Sequence, residues 1–495
     1  MAGVQPSSKT ATHWGLWPLA VALVLGVAYT LAELGELAHY HDSNAYFELA
    51  RVLRVDAHRG IAYPAFLASI DWATGRTGSG SLLRMMANEH PPGACSAPGE
   101  ILAVQLSQLA LCATALAYWV QTRVATNPRA AGLATSATIL LVALLVFDPL
   151  VSHFALSVMP DALAMAASLV FCGALARVGL GSSSPGRNGA WLLLSFTAAC
   201  LLRPEKKYVL VCTALASMAV WAWIAQRRLH SFGRLPVRLG FIAAMIVLGL
   251  AATLTIESAV HRDYGRPGQG SIMLHARVIF PHLGDIVEAL PPDVRERFSE
   301  NDVAFYDKHV LNPGPVMQRV TRGDPVDADR LTEVMARTAV RERGPAIAFD
   351  ILKDSAENVL PTLGLYPRMV ALEALGMPGY RSFSRSDMLP WTHKLMTEHH
   401  SALSHASLTV SGIAFGLLGA AGILRLRRIE AGPGWADRTP LLVPWIPSLL
   451  FVLANAAAFA IHADAVSPRY TIASHVMLLA LVYSSALTTV RSRRS

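Results

Sequence analysis

Apolar runs of about 20 residues, separated by polar segments, recur along most of this chain. A run of that length crosses the hydrocarbon core of a bilayer as an α-helix. The pattern predicts an all-α polytopic membrane protein with about ten transmembrane helices. The predicted spans are 14–32, 100–122, 130–147, 161–178, 189–202, 208–225, 239–260, 404–424, 441–461 and 470–490.

Two long polar segments divide the chain into three parts. Residues 1–260 form a seven-span module with an outer loop at 33–99, residues 261–403 form a mainly helical outer segment, and residues 404–495 add three spans. Within the first loop, apolar positions at helical spacing predict two helices that lie on the membrane surface. The first carries the stripe Tyr46, Leu49, Ala50 and Leu53, and the second begins at Pro64.

Composition agrees with a membrane protein, since 53% of the residues are hydrophobic and only 15% are charged, against about 25% charged in soluble domains. The net charge of +8 lies largely in short loops between spans, so it does not indicate nucleic-acid binding. Four of the five cysteines lie inside apolar runs, which argues against a disulfide framework. The first span lacks a small-residue cleavage site, so we expect it to be retained.

The distribution of Lys and Arg predicts the orientation, because cytoplasmic loops carry an excess of these residues. Placing both termini in the cytoplasm puts most of the loop arginines inside, whereas the outer loop 148–160 carries neither Lys nor Arg. One short outer loop breaks the rule: it holds Arg203, Lys206 and Lys207 beside Glu205. These cations predict a phosphate site, unless the fifth span is wrongly placed or the side chains snorkel to lipid phosphates.

Other ionisable residues fall on the same side. Asp42 follows the first span, and Asp161 opens the fourth. Each has a plain structural alternative, because Asp before a helix caps its free N–H groups and complements its dipole. Arg469 could likewise be an interfacial anchor. The residues predicted at the outer face are Asp42, His58, Arg59, His153, Asp161, Arg203, Lys206, Lys207, His462, Asp464 and Arg469. In a packed bundle, acids and cations from several turns would converge on one cavity.

Several segments resemble membrane glycosyltransferases of the GT-C fold. The similarity is nearest to the group that uses polyprenyl-phosphate sugars, which includes aminoarabinose transferases and protein O-mannosyltransferases. It rests on Asp42 after the first span, Tyr46-Phe47-Glu48-Leu49-Ala50, Arg59-Gly60-Ile61-Ala62-Tyr63-Pro64, Met159-Pro160-Asp161, Leu202-Arg203-Pro204-Glu205 and Pro468-Arg469-Tyr470. One departure is that Ser43 follows Asp42, where the mannosyltransferases carry an Asp-Glu pair.

The resemblance implies inverting glycosyl transfer at the outer face of a bacterial inner membrane. Asp42 would be the catalytic base that deprotonates an acceptor hydroxyl, and polyprenyl phosphate would leave from the anomeric carbon. The acceptor would be a lipid, a glycan or a protein. The donor phosphate would be bound by Arg203, Lys206, Lys207, Arg469 and Arg59, and the supporting or acceptor-side residues would be Tyr46, His58, Tyr63 and Glu205.

A divalent metal is the only cofactor that this reading leaves open. Asp42 and Asp161 could bind one with help from His41, His153 or Asp464. Oxygen ligands would favour magnesium, manganese or calcium, and histidine would shift the preference towards zinc.

Two other functions stay open at the level of sequence. An O-antigen ligase or polymerase also has many spans and outer-face arginines, and it would use Arg262, Arg266, His275 and Arg277 in the large outer segment. A transporter of lipid-linked sugars would place ionisable groups near the middle of the membrane. The spans between 100 and 260 carry almost no charge at their centres, which argues against transport.

Overall fold

A computed structural model of the protein describes residues 46–47, 49–50, 59–73, 98–126, 159–181, 184–227, 235–264, 278–279, 282–303, 314–374, 445–462 and 472–478. Within these residues the chain is helical and contains no β-strand. The helices are α1 (Ala62–Ala73), α2 (Pro98–Thr126), α3 (Asp161–Leu180), α4 (Pro185–Leu202), α5 (Lys206–Arg227), α6 (Leu235–Tyr264), α7 (Leu283–Ile286), α8 (Pro292–Arg295), α9 (Gly314–Val320), α10 (Pro325–Ala374) and α11 (Ile446–His462).

Four helices are long and apolar enough to cross a membrane. Their candidate spans are Ala103–Thr122, Asp161–Leu180, Lys206–Gln226 and Leu235–Ala259, which correspond to four of the predicted spans. The helix α11 is a shorter apolar helix, and α4 begins with a polar first turn. The predicted spans 14–32, 130–147 and 404–424 lie outside the described residues, as does most of 470–490.

The helix α3 is the centre of the bundle. It is 83% buried and packs against α2, α4 and α11, whereas α6 is only 22% buried. The outward faces of α5 and α6 carry exposed apolar side chains such as Leu215, Trp223 and Leu248. Apolar side chains on the outside and a closely packed helix at the centre are typical of a bundle surrounded by lipid.

Glycines allow close helix packing at several crossings. A Cβ atom on Gly179 would lie 2.4 Å from the ring of Trp221, so α3 and α5 approach closely only because that position has no side chain. The same holds where Gly249 of α6 meets Phe196 of α4. Buried hydroxyls in the bundle donate to the carbonyl one turn earlier, as Ser168 does to Ala164, which satisfies them without water.

The two ends of the bundle differ in chemistry. At one end, Arg177 donates from Nε to Thr122 Oγ1 at 3.0 Å and from Nη2 to the Tyr118 carbonyl at 3.0 Å, and Arg238 lies against Gly181 at the end of α3. Cations suit this position because helix C-termini carry partial negative charge. The helices α3 and α5 begin at the opposite end, which we call the Asp161 end.

Residues 278–279, 282–303 and 314–351 share a hydrophobic core of their own. Ile279, Leu283, Ile286 and Met335 are buried there, and α7, α8 and α9 pack around the first half of α10. The helix α10 belongs to the outer segment that the sequence predicts to be mainly helical, and it also packs against α11. The helix α10 therefore links this segment to the membrane bundle.

The first loop packs directly on the bundle at Gly60. A Cβ atom there would lie 1.9 Å from the Leu201 carbonyl oxygen and 2.9 Å from the Leu202 carbonyl carbon. Only glycine permits such a close approach of two backbones. The predicted second surface helix is α1, which starts two residues later and buries Tyr63 and Leu67.

We expect Gly60→Ala to separate the first loop from the end of α4 and to lower the free energy of unfolding by about 1–3 kcal/mol, as overpacked side chains do. Thermal unfolding of the purified protein in detergent would measure the loss. Gly186→Ala is the matched control, because nothing lies within 4 Å of a Cβ atom at that exposed position. Equal unfolding midpoints for the two variants would contradict the close approach.

Candidate functional site

The Asp161 end holds a group of buried charged side chains. Asp161, Arg203, Glu205 and Lys206 are each at most 9% exposed, and we call these four residues with Asn455 the buried ion cluster. Charged residues are almost never fully buried unless they are paired. Four charged residues buried at one end of an apolar bundle therefore indicate either ion pairs that stabilise the helix packing or a binding site.

An ion pair between Arg203 and Asp161 joins two helix ends. Arg203 follows the last residue of α4 and donates from Nη2 to Asp161 Oδ1 at the start of α3. This contact lies inside the protein, so Arg203 does not snorkel to lipid phosphates. The carboxylate also complements the dipole of α3, because Asp161 lies in its first turn.

The turn between α4 and α5 consists of only Arg203, Pro204 and Glu205. Glu205 Oε1 lies 3.9 Å from Arg203 Nε, which is beyond hydrogen-bond distance. Within the described part of the chain this oxygen accepts no hydrogen bond. A buried carboxylate oxygen without a donor is uncommon and costly, so it is an acceptor that a polar ligand could use.

The adjacent lysines point in different directions. Lys206 Nζ donates to Asn455 Oδ1 of α11 at 2.7 Å and lies 5.6 Å from the centre of the Phe451 ring. Lys207 Nζ instead lies 3.0 Å from Glu257 Oε2 of α6, and both of those side chains are one-fifth exposed. Lys206 therefore belongs to the interior of the bundle together with Arg203, and Lys207 belongs to the α5–α6 contact.

Aromatic residues of the first loop lie against the cluster. Tyr46 and Tyr63 are buried and meet edge to face with ring centres 5.2 Å apart, and the Arg59 guanidinium lies 5.7 Å from the centre of the Tyr46 ring. Tyr63 donates to Gln108 Oε1 of α2 at 3.1 Å. Burial raises the pKa of the Tyr63 phenol well above its usual value of 10.0, and electrostatic repulsion from Tyr46 and from the Asp161 carboxylate raises it further. The phenol therefore stays protonated and acts as a donor.

The buried ion cluster lies part-way along two longer helices, α2 and α11, and we call its surroundings at the Asp161 end the recess. Cys112 donates from Sγ to the Ala162 carbonyl at 3.3 Å, so α3 begins beside the middle of α2. The helix α2 continues beyond that level to Pro98, about 20 Å along its axis at 1.5 Å per residue. The helix α11 likewise continues past Asn455 to His462, about 10 Å. A ligand of these cations would therefore lie beside both α2 and α11.

The candidate residues thus divide into three groups. The first group lies together at the Asp161 end and consists of Asp161, Arg203, Glu205 and Lys206, with Tyr46, Tyr63 and Arg59 beside them. The second is Lys207, which pairs with Glu257. The third lies outside the described residues. The structure adds Asn455 and Ser474, which the sequence reading missed; the isolated Asn in the apolar run of α11 was the only sequence signal. The candidates that lie outside the described residues are Asp42, His41, His58, His153, Asp464 and Arg469.

No metal-ligand set is assembled within the described residues, since no three His, Cys, Asp or Glu side chains there are grouped for one. Of the predicted metal ligands only Asp161 is described, and its Oδ1 accepts from Arg203.

Comparison with known proteins gives no relative to set beside this geometry: no protein-family model, no curated protein and no solved structure matches the chain.

We expect Arg203→Ala to lower the free energy of unfolding by about 3–5 kcal/mol, because it removes the buried cation that pairs with the Asp161 carboxylate. Thermal unfolding in detergent would measure this. Lys207→Ala breaks the more exposed pair with Glu257 and should cost about 1 kcal/mol or less. The double variant Asp161→Ala with Arg203→Ala should recover part of the loss, and a purely additive double variant would contradict the pairing.

Proposed function

We propose that this protein is an inverting membrane glycosyltransferase. It transfers a sugar from a polyprenyl-phosphate-linked donor to a lipid, glycan or protein acceptor at the outer face of a bacterial inner membrane. The observation that carries the proposal is the burial of two cations, Arg203 and Lys206, in a recess at one end of an apolar helical bundle. The resemblance of the surrounding segments to GT-C enzymes supplies the reaction.

The recess suits a phosphate at the head of a lipid chain. A polyprenyl chain can stay in the bilayer beside the apolar faces of the helices, while the phosphate reaches the buried cations. Arg offers a fork of N–H donors and Lys a compact positive charge, and both are common phosphate ligands. Charge that develops on the leaving phosphate is stabilised most strongly by cations already fixed in a water-poor site.

Asp42 is the proposed catalytic base. It deprotonates the acceptor hydroxyl, whose oxygen then attacks the anomeric carbon as the bond to the donor phosphate breaks. Arg203 and Lys206 bind the phosphate that leaves. Glu205 Oε1 accepts no hydrogen bond from the residues that the structure describes, so it is a suitable acceptor for a hydroxyl of the sugar, which would also fix the orientation of the sugar. Tyr46 and Tyr63 would close the site towards the first loop.

The direct test is sugar transfer by the purified protein in nanodiscs that contain polyprenyl-phosphate sugars and acceptor lipids. We expect Asp42→Asn to lower kcat by about a hundredfold or more, because general-base catalysis contributes that much, while expression stays normal. Asp42→Glu should retain part of the activity. Full activity of Asp42→Asn would remove the base assignment, and a wild-type protein inactive with every donor would remove the proposed function.

Lys206 allows a second test on the donor side. We expect Lys206→Met to raise the KM for the donor by about tenfold, because it removes one charge–phosphate contact from a buried site. Lys207→Met changes the adjacent residue in the same way, but its ammonium pairs with Glu257, so the KM should rise less. Equal effects of the two variants would contradict the assignment of Lys206 to the phosphate.

A further inference from the structure

Lys206 is held by a chain of two hydrogen bonds that crosses into the C-terminal part of the protein. Its ammonium donates to Asn455 Oδ1 at 2.7 Å, and Asn455 Nδ2 donates to Ser474 Oγ at 3.0 Å. Asn455 is fully buried in α11, and Ser474 is buried in the helical residues 472–478. Three separate segments therefore meet at the Asn455 side chain: α5, α11 and the helical residues 472–478.

The direction of the Asn455 amide follows from chemistry. An ammonium can only donate, so the amide must turn its oxygen to Lys206. Its NH₂ group then needs an acceptor, which the Ser474 hydroxyl provides. The hydroxyl thereby fixes the amide in the orientation that suits the lysine.

An amide differs from a carboxylate of the same shape in one respect that matters here. It orients the ammonium without adding a negative charge to the buried ion cluster. A carboxylate at this position would pair with Lys206 and compete with any anionic ligand, and the competition would be strong because charges interact strongly at low dielectric.

We infer that Asn455 is a positioning residue for the phosphate of the donor: it orients the Lys206 ammonium without adding a negative charge beside it, and Ser474 fixes the amide. This inference rests on the proposed function, because it assumes that Lys206 meets the donor phosphate. Through Asn455 and Ser474, the C-terminal part of the chain would then belong to the donor site and would not serve only to hold the protein in the membrane.

The test uses the full-length protein in nanodiscs, with farnesyl phosphate as the probe and farnesol as its phosphate-free counterpart. We expect Asn455→Asp to lower the affinity for farnesyl phosphate by about tenfold, because a new negative charge lies beside the phosphate site. Asn455→Ala should lower it by about threefold, since the lysine loses its support but keeps its charge. Ser474→Ala should have a smaller effect in the same direction.

The order of the two Asn455 variants separates positioning from simple packing. Aspartate keeps the shape of asparagine and gains an ion pair with Lys206, so the thermal unfolding midpoint of Asn455→Asp should equal or exceed that of Asn455→Ala. A purely structural residue would make alanine the worse variant in binding as well. The positioning role requires that Asn455→Asp binds farnesyl phosphate more weakly than Asn455→Ala does, although its unfolding midpoint is no lower.

Ser448→Ala is the matched control. Ser448 lies seven residues before Asn455 on the same helix and is also buried, but its hydroxyl accepts from Trp119 Nε1 at 3.0 Å, away from the cluster. Its affinity for farnesyl phosphate should equal that of the wild type, and a loss as large as that of Asn455→Asp would overturn the inference.

Three further outcomes would also overturn the inference. If the affinity of Asn455→Asp stays within about twofold of the wild type, or if Asn455→Ala is the weaker binder, the positioning role fails and the proposed function stands. If the wild-type protein binds farnesol as well as farnesyl phosphate, no phosphate site exists, and the donor assignment fails together with the inference.

Discussion

The pair between Arg203 and Asp161 is the contact on which the Asp161 end of the bundle depends. In water such a pair would contribute little, but inside an apolar bundle neither charge can stay without the other. It fixes the end of α4 to the start of α3, and the three-residue turn then places Glu205 and Lys206 beside it. Because the turn is short, the buried side chains of Arg203, Glu205 and Lys206 follow one another closely at the same end of the bundle.

The first loop is bound to the bundle by shape more than by charge. Gly60 lets its backbone touch the end of α4, and α1 then buries Tyr63 against Tyr46 and Gln108. These aromatic rings lie on the first-loop side of the cluster, and α2 and α11 extend beyond it. If the site binds the anion that we propose, the scarcity of water around buried cations would strengthen their interaction with it.

The sequence marks the loop that contains Arg203, Lys206 and Lys207 as unusual, because it breaks the positive-inside rule. Sequence could not separate the two lysines, because helical rotation sends adjacent side chains in directions about 100° apart. Nor could it find their partners Asn455 and Glu257, which lie 249 and 50 residues further along the chain. Long-range pairs of this kind leave no local pattern.

The sequence by itself determined the helical class, the limits of four long apolar helices and the second surface helix to within a few residues, because a bilayer dictates helix length and apolar content. It also grouped Asp161 with Arg203 and Lys206 at one end, since alternating spans leave only two ends to choose between. Only the tertiary structure decided that α3 is the centre, that Arg203 faces Asp161, and that Asn455 holds Lys206. Those facts depend on the rotation and the axial position of each helix relative to its neighbours. Side-chain packing and glycine contacts set both, and the hydrophobic periodicity of the sequence does not reveal them.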